Sequence, residues 1–428
     1  MSQLWEDLQF RGLVQQTSEV NLARRLDTER LCFYGGFDPT ADSLHVGHLV
    51  QLCNLRRLQE AGHQPIALVG GGTGMIGDPS GRSDERTLLD REALADNVAG
   101  IRAQLERFCD FGASAGPARA ILADNGEWLW PLSLLEFLRD VGKHFSVNQM
   151  VAKESVRARL ETREQGISFT ELSYMCLQAY DFLHLFDTYG CRLQLGGSDQ
   201  WGNITAGVDF VRRRRGAEVW GLTTPLVVKA DGTKIGKTES GTVWLDRRRT
   251  SPYQLYQWLV RSEDAVVGAY LRYFTWLDRA RLEELDQAVA EHPERREAQR
   301  ALAHQVTALV HGEDDARRVE RAAVALFGEE VASLDEATLL EVLGDAPSST
   351  LALSELGGNG LGLVEALVRS GLVPSRSAAR TAIAQGGAYV NNRRQDDLDR
   401  SLGADDLLWG RYVLLRRGRR DHHLLRCE

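Results

Sequence analysis

Two histidines three positions apart, His45 and His48 in DPTADSLHVGH (38–48), stand where a strand-like run gives way to a helix-like one. A helix mouth carries unpaired N–H groups and the positive end of the dipole, and both draw anions. Imidazole N–H donors added there would extend a phosphate cradle, and Gly47 between them removes the side chain that would keep a flat ring off the helix. With no cysteine or third histidine nearby the pair does not complete a metal site; a plain surface pair is the other reading of these two residues alone. A second group lies in ADGTKIGKTESG (230–241), where Lys234 and Lys237 flank Ile235 and Gly236 and precede Thr238. Only five of the 51 basic residues are lysines (Lys143, Lys153, Lys229, Lys234, Lys237), and three of these fall within nine positions. A loop that keeps lysine amid 46 arginines needs a mobile point charge rather than a planar fork, which suits a phosphate group. The spacing is not that of GxxxxGK[ST], and an exposed lysine hairpin is the alternative.

Two further stretches place polar groups for binding. GGTGMIGDPSG (71–81) matches GxGxxG at Gly72, Gly74 and Gly77, a dinucleotide fingerprint if taken literally. The fingerprint needs a helix to start within it, whereas Asp78, Pro79, Ser80 and Gly81 continue the loop, so Asp78 is better placed to pair with a ligand ammonium. SFTELSYMCLQAYDFLHLF (168–186) is an apolar helix interrupted by Tyr174, Gln178 and Asp181, spaced to lie along one stripe. Polar groups on an otherwise buried face are costly unless paired, so they either satisfy one another or line a specificity pocket.

The elements that must position these groups follow from pattern. LCFYGGFDPTADS (31–43) reads as a buried strand breaking at Gly35, Gly36 and Pro39. A helix follows, capped by Ser43, with Leu49, Leu52, Leu55 and Leu58 on its apolar side and Gly62 at its end. QPIALVGGG (64–72) is a second buried strand, and RLQLGGSDQWGN (192–203) repeats the strand-into-glycine pattern. Strand, helix, strand of this length is a βαβ unit, which implies a parallel sheet with ligands at the carboxyl ends of its strands. From about Pro252 to Phe327 the chain is rich in Leu, Ala, Glu and Arg, a helical composition. GDAPSSTLALSELGGNG (344–360) has the content of a linker, and the remainder reads as two short helices and a hairpin.

At 428 residues, 43% hydrophobic and 26% charged, the chain predicts an ordinary globular protein of two to four domains. Its six cysteines are scattered without a CxxC pair, which argues for reduced thiols and a cytoplasmic location. No stretch approaches the roughly 18 apolar residues of a membrane span, and MSQLWEDLQFRG is too charged for a signal peptide. The net charge of −9 argues against a general polyanion binder. Residues 361–428, however, hold 12 Arg against 8 acidic residues, a balance of +4 that leaves −13 for residues 1–360. A basic C-terminal module on an acidic body points to an anionic partner for the small end.

Taken together the motifs resemble the class I aminoacyl-tRNA synthetases, and within them the bacterial-type tyrosyl-tRNA synthetases. HVGH is similar to the HIGH signature and KIGKT to KMSKS, while FDPTADSLHVGHL, GDPSGR, LQAYDFLHL and LGGSDQWGNI follow in the family's order. SRSAARTAIAQGGAYVNN resembles the small RNA-binding fold that this family shares with a ribosomal protein. Departures are Ile235 and Gly236 in the lysine signature and Gly35 where cysteine is frequent.

The resemblance implies an α/β chain. A Rossmann-like parallel-sheet catalytic domain would span 1–225, with an inserted helical dimerisation segment at about 125–190, followed by the lysine signature loop at 226–250. An α-helical anticodon-binding domain at 251–330, a linker at 331–360 and a small α+β RNA-binding domain at 361–428 would complete it. It further implies that Tyr34 and Asp181 bind the phenolic hydroxyl of tyrosine. Asp78, Tyr174 and Gln178 would hold its ammonium, with Gln200 at the amino acid end. Thr40, His45 and His48 would face the ATP phosphates, Gly47 would lie under the adenine, and Asp199 would hold the ribose, with Asp38 and Gly197 also on the nucleotide. Lys234, Lys237 and Thr238 would close on pyrophosphate. ATP with Mg²⁺ as substrate, no tightly held protein metal, tRNA as partner and a homodimer are the remaining implications. Tryptophanyl-type synthetases share the signatures, but an acid and a phenol aimed at a hydroxyl favour tyrosine. Two other classes stand beside this reading: a nicotinamide-dependent oxidoreductase using the Gly72–Gly77 loop, and a non-catalytic RNA-binding protein.

Overall fold

Short apolar runs bounded by glycine-rich or polar segments form strands covered on both faces. In the computed structural model, which describes residues 3–80, 90–153, 156–157, 160, 167–235, 241–325, 331, 334–344, 346–357, 360–418 and 421–428, these runs build a six-stranded sheet. In chain order its strands are β1 (Gln16–Thr17), β2 (Cys32–Phe37), β3 (Gln64–Val69), β4 (Ile121–Asp124), β5 (Cys191–Gly197) and β6 (Trp220–Thr224). The spatial order is β1-β6-β5-β2-β3-β4, with β2 to β6 parallel and the edge strand β1 antiparallel. The chain winds outward from β2 through β3 to β4, then starts again on the other side of β2 with β5 and β6. Crevices form where the winding reverses, here beyond the carboxyl ends of β2 and β5.

Strand β2 does not break at Gly35 as its composition suggested; it continues through Gly36 to Phe37, because both glycines pair in register with Ala67 and Leu68 of β3. Helix α1 (Leu49–Glu60) buries Leu49, Leu52, Leu55 and Leu58, each contributing roughly 1.5–3 kcal/mol by removal from water. Its cap differs from the expected Ser43. That hydroxyl donates to the Leu44 carbonyl and accepts from Gln104, while His45 caps a single 3-10 turn, Val46–His48, that leads into the helix. Helix α2 (Phe169–Tyr189) starts at the N-cap Ser168 and ends at Gly190, whose φ of 66° is the left-handed conformation that glycine adopts readily. Helix α3 (Trp201–Arg215) lies against α2, and Phe182 and Phe210 share a core with Tyr34 of β2 and Ile66 and Leu68 of β3.

The chain divides into two compact units, Met1–Thr250 with Arg261–Leu302, and Ser251–Val260 with Ala303–Glu428. The helical stretch after residue 250 is shared between them: helix α4 (Asp264–Phe274) and the helix Arg279–Glu291 belong to the first unit, Pro252–Val260 and Glu313–Ala325 to the second. In the second unit β7 (Ser348–Leu351), β8 (Ala388–Val390), β9 (Arg393–Gln395), β10 (Tyr412–Arg417) and β11 (Asp421–Cys427) form a sheet in the order β9-β8-β10-β11-β7. Helices Leu363–Arg369 and Arg376–Ala384 supply the core opposite it. The segment expected as a linker is therefore partly structured: residues 336–342 are helical and β7 pairs in parallel with β11. Among the described residues no helix is long and apolar enough to cross a membrane.

Candidate active site

A cleft of about 340 Å³ opens beyond the carboxyl ends of β2, β3 and β5. It is lined by Tyr34, Asp38, Thr40, His45, Gly47, His48, Asp78, Tyr174, Gln178, Asp181, Gly197, Asp199, Gln200 and Lys234. The remaining two residues singled out from sequence, Lys237 and Thr238, lie outside the described residues.

At one end the two imidazoles stand with ring centroids 4.0 Å apart. His48 Nδ1 accepts the backbone N–H of His45 and His45 Nδ1 accepts that of Gly47, each at 3.1 Å. Because each Nδ1 is an acceptor, a neutral ring carries its proton on Nε2. Gly47 makes this geometry possible: a Cβ there would lie 2.8 Å from the His45 ring and 3.1 Å from the Ile235 carbonyl.

At the base of the cleft, Asp181 of α2 is buried and accepts from Asn125 Nδ2 at 2.9 Å and from Trp128 Nε1 at 2.8 Å. Burial raises its carboxyl from the ordinary 3.8 to about 7, against the pull of those two donors. Among the described residues the Tyr34 hydroxyl has no hydrogen-bond partner although the residue is 1% exposed, and burial together with the Asp181 charge holds its phenol well above the usual value. A buried hydroxyl left unpaired costs about 1–3 kcal/mol, so a ligand hydroxyl placed here would relieve that cost.

The polar stripe of α2 reaches across to other elements rather than pairing along itself. Tyr174 donates its hydroxyl to Asp38 Oδ2 at 2.7 Å, and Gln178 Oε1 accepts from Asn203 of α3 at 3.0 Å. Gln200 donates to Asp78 Oδ2, so an acid, two amides and a phenol converge near the glycine loop. On the far wall Lys234 Nζ lies 3.1 Å from Asp199 Oδ2. Burial raises the Asp199 carboxyl, and Lys234 opposes that rise. Lys234 sits on a hairpin made by Ile235 N–H to Val227 carbonyl and Lys229 N–H to Thr233 carbonyl bonds. Downstream, Val46 N–H to Val243 carbonyl and Leu245 N–H to Leu44 carbonyl bonds tie residues 243–245 beside the histidine turn.

A family profile described as tRNA synthetases class I (W and Y) matches residues 26–328. The chain belongs to this family. A second profile, the tyrosine–tRNA ligase SYY-like C-terminal domain, matches residues 340–425. The chain is 54% identical to a tyrosine–tRNA ligase of Roseiflexus castenholzii over 100% of both chains. It is 52% identical to that of Geobacillus stearothermophilus over 99% of each. Among solved structures, a C-terminally truncated mitochondrial tyrosyl-tRNA synthetase of Aspergillus nidulans superposes with a TM-score of 0.67 at 33% identity, covering 76% of this chain and 95% of that one.

For a class I synthetase the glycine loop after β3 is put to a different use from a dinucleotide fingerprint. The N–H groups of Gly71 and Gly72 are already taken by Asp124 Oδ1 and Asn125 Oδ1, and the element that begins within the glycine loop is a 3-10 turn, Thr73–Met75. A pyrophosphate would find these donors occupied, which disfavours the oxidoreductase reading. Sequence reasoning missed Asn125, Trp128 and Thr73, which orient Asp181 and Asp38. A polar residue directly after an apolar strand, as Asn125 is after β4, was the one available signal.

Proposed function

We propose that this class I synthetase activates L-tyrosine with ATP to tyrosyl-adenylate and pyrophosphate, then transfers tyrosine to the 3′-terminal adenosine of its tRNA. The observation that carries the reading is the Tyr34 hydroxyl, unpartnered among the described residues, near the buried Asp181 in the lining of the cleft, a pair suited to one phenolic hydroxyl. The relatives aligned over the whole chain are named tyrosine–tRNA ligases, whereas a tryptophanyl-tRNA synthetase of Encephalitozoon cuniculi shares the fold at 15% identity.

Asp78, Tyr174, Gln178 and Gln200 surround the ammonium end of the amino acid. Its carboxylate is ionised at neutral pH and attacks the α-phosphorus without a general base. What needs stabilising is the charge that spreads onto the leaving pyrophosphate, and donors that fit it better than they fit bound ATP raise the rate. His45 and His48 offer Nε2–H donors there, Thr40 its hydroxyl, and Lys234 with Lys237 and Thr238 a movable positive segment. Gly47 leaves room for the adenine, and Asp38, Gly197 and Asp199 border the ribose side. Mg²⁺ arrives with ATP as part of the substrate. A site built to hydrogen-bond a hydroxyl rejects the analogue lacking it by roughly 10⁴–10⁵, a range for which tyrosyl enzymes are themselves the known example.

The six cysteines are all free thiols, which supports a reducing compartment, the cytoplasm. Homodimerisation is supported by apolar side chains left in solvent between β4 and β5: Leu134 is 69%, Leu135 77%, Val147 62% and Phe169 72% exposed.

Tyrosine-dependent ATP–pyrophosphate exchange tests the proposal. His45→Ala is expected to lower the exchange rate by roughly 10²–10³, as loss of a transition-state donor does, with tyrosine binding little changed. Absence of exchange with tyrosine in the wild-type protein rules the function out.

A further inference from the structure

The hairpin that carries Lys234 has a fixed edge. Val228 and Lys234 face one another as an antiparallel pair, flanked by the Ile235–Val227 and Lys229–Thr233 bonds. In such a pair the backbone groups of both residues point away from the partner strand, so the Val228 carbonyl emerges on the outer edge. There it accepts a 2.6 Å hydrogen bond from the hydroxyl of Tyr270, in the middle of helix α4. Tyr270 is buried, with its ring against Phe274 at 5.7 Å, so the hydroxyl cannot swing away without unpacking the helix.

Helix α4 is itself held from the histidine side. Its final carbonyls and those just beyond are gripped by two buried arginines. Arg57 donates to Tyr273 and Thr275, and Arg11 to Thr275 at 3.0 Å and Leu277 at 2.8 Å. Cations at a helix carboxyl end also oppose the negative end of its dipole. Arg57 lies in the last turn of α1, the helix whose other end carries His45 and His48. The lysine hairpin and the histidine turn are thus referenced to one frame: α1, then Arg57, then α4, then Tyr270.

From this geometry we infer that Tyr270 is a positioning residue for adenylate formation, its hydroxyl setting the height of Lys234 over the nucleotide through the Val228 carbonyl. The inference rests on the proposed role of Lys234 at the phosphates. Tyr270 touches neither substrate nor reacting atoms and acts on the first chemical step from a helix outside the cleft.

Tyr270→Phe deletes only the hydroxyl and keeps the ring contact that folds the helix. We expect kcat/KM for ATP in pyrophosphate exchange to fall roughly 3- to 10-fold, the factor that one hydrogen bond implies, with the dissociation constant of tyrosine unchanged. The double-mutant cycle with Lys234→Ala separates positioning from general stability. If the hydroxyl acts through Lys234, Tyr270→Phe causes less than about a twofold further change in the Lys234→Ala background. A full multiplicative loss in that background, an unchanged ATP dependence, or tyrosine binding weakened as much as the rate would each overturn the inference. A Lys234→Ala enzyme as fast as wild type would instead show that the phosphate role of Lys234 is wrong, and the inference would fall with it.

Discussion

Two nitrogen donors favour the ionised form of Asp181 while burial favours the neutral one, and burial wins by enough to bring the carboxyl to about 7. A substrate phenol that donates to this carboxylate needs it ionised, so the KM for tyrosine is expected to rise as pH falls from 8 to 6, by up to tenfold per unit below the midpoint. Trp128→Phe removes one donor to the anion, which raises the carboxyl further and moves that rise to higher pH. Steady-state exchange kinetics across pH, wild type against variant, measure both. Folding is linked with the opposite benefit: the native state keeps a proton that the unfolded chain releases near 3.8, so the ligand-free protein loses stability as pH rises from about 4 through about 7. Urea midpoints at pH 5.5 and pH 8 without tyrosine, the higher expected at 5.5, check the sign. Tyr174, Gln178 and Asp181 were legible in the sequence because polar types interrupt an apolar helix at helical spacing. Asn125 and Trp128 were not, because what gives them a role is a contact with residue 181 that no local period encodes.

Strands β2, β3 and β5 could be read from their apolar runs because they are central and covered on both faces. Strand β7 could not: SSTL buries only Leu351 and occupies an edge, so its composition is that of a loop. The turn leading into α1 departs from the expected Ser43 cap for a related reason, since a histidine capping with Nδ1 is outside the usual serine, threonine, asparagine and aspartate set. The parallel β7–β11 pair carries a prediction. A fragment 340–428 is expected to melt cooperatively and at a higher temperature than a fragment 361–428, which leaves an edge of β11 bare. Circular dichroism melts of the two fragments decide it, and equal midpoints would show that β7 adds nothing.

The charge of the whole molecule is uneven, +4 over residues 361–428 against −13 before them, and the C-terminal profile match spans 340–425. Deleting residues 340–428 is expected to spare tyrosine-dependent pyrophosphate exchange and to reduce tRNA charging by an order of magnitude or more at physiological salt, where contacts to phosphates count most. On the homodimer proposed above, Leu135→Glu places a charge in the exposed apolar stretch and is expected to shift the sedimentation equilibrium toward monomer; an unchanged mass would show that this stretch is not the dimer interface. Gly47 joins distances on this scale to those of a single bond. A methyl group there would strike both the His45 ring and the Ile235 carbonyl, so two segments remote in sequence share one tolerance of a few tenths of an ångström. Genetic suppressors of Gly47→Ala should accordingly arise in residues 227–235. A chimera that imports a foreign lysine hairpin into this chain must import a compatible backbone along with its charges.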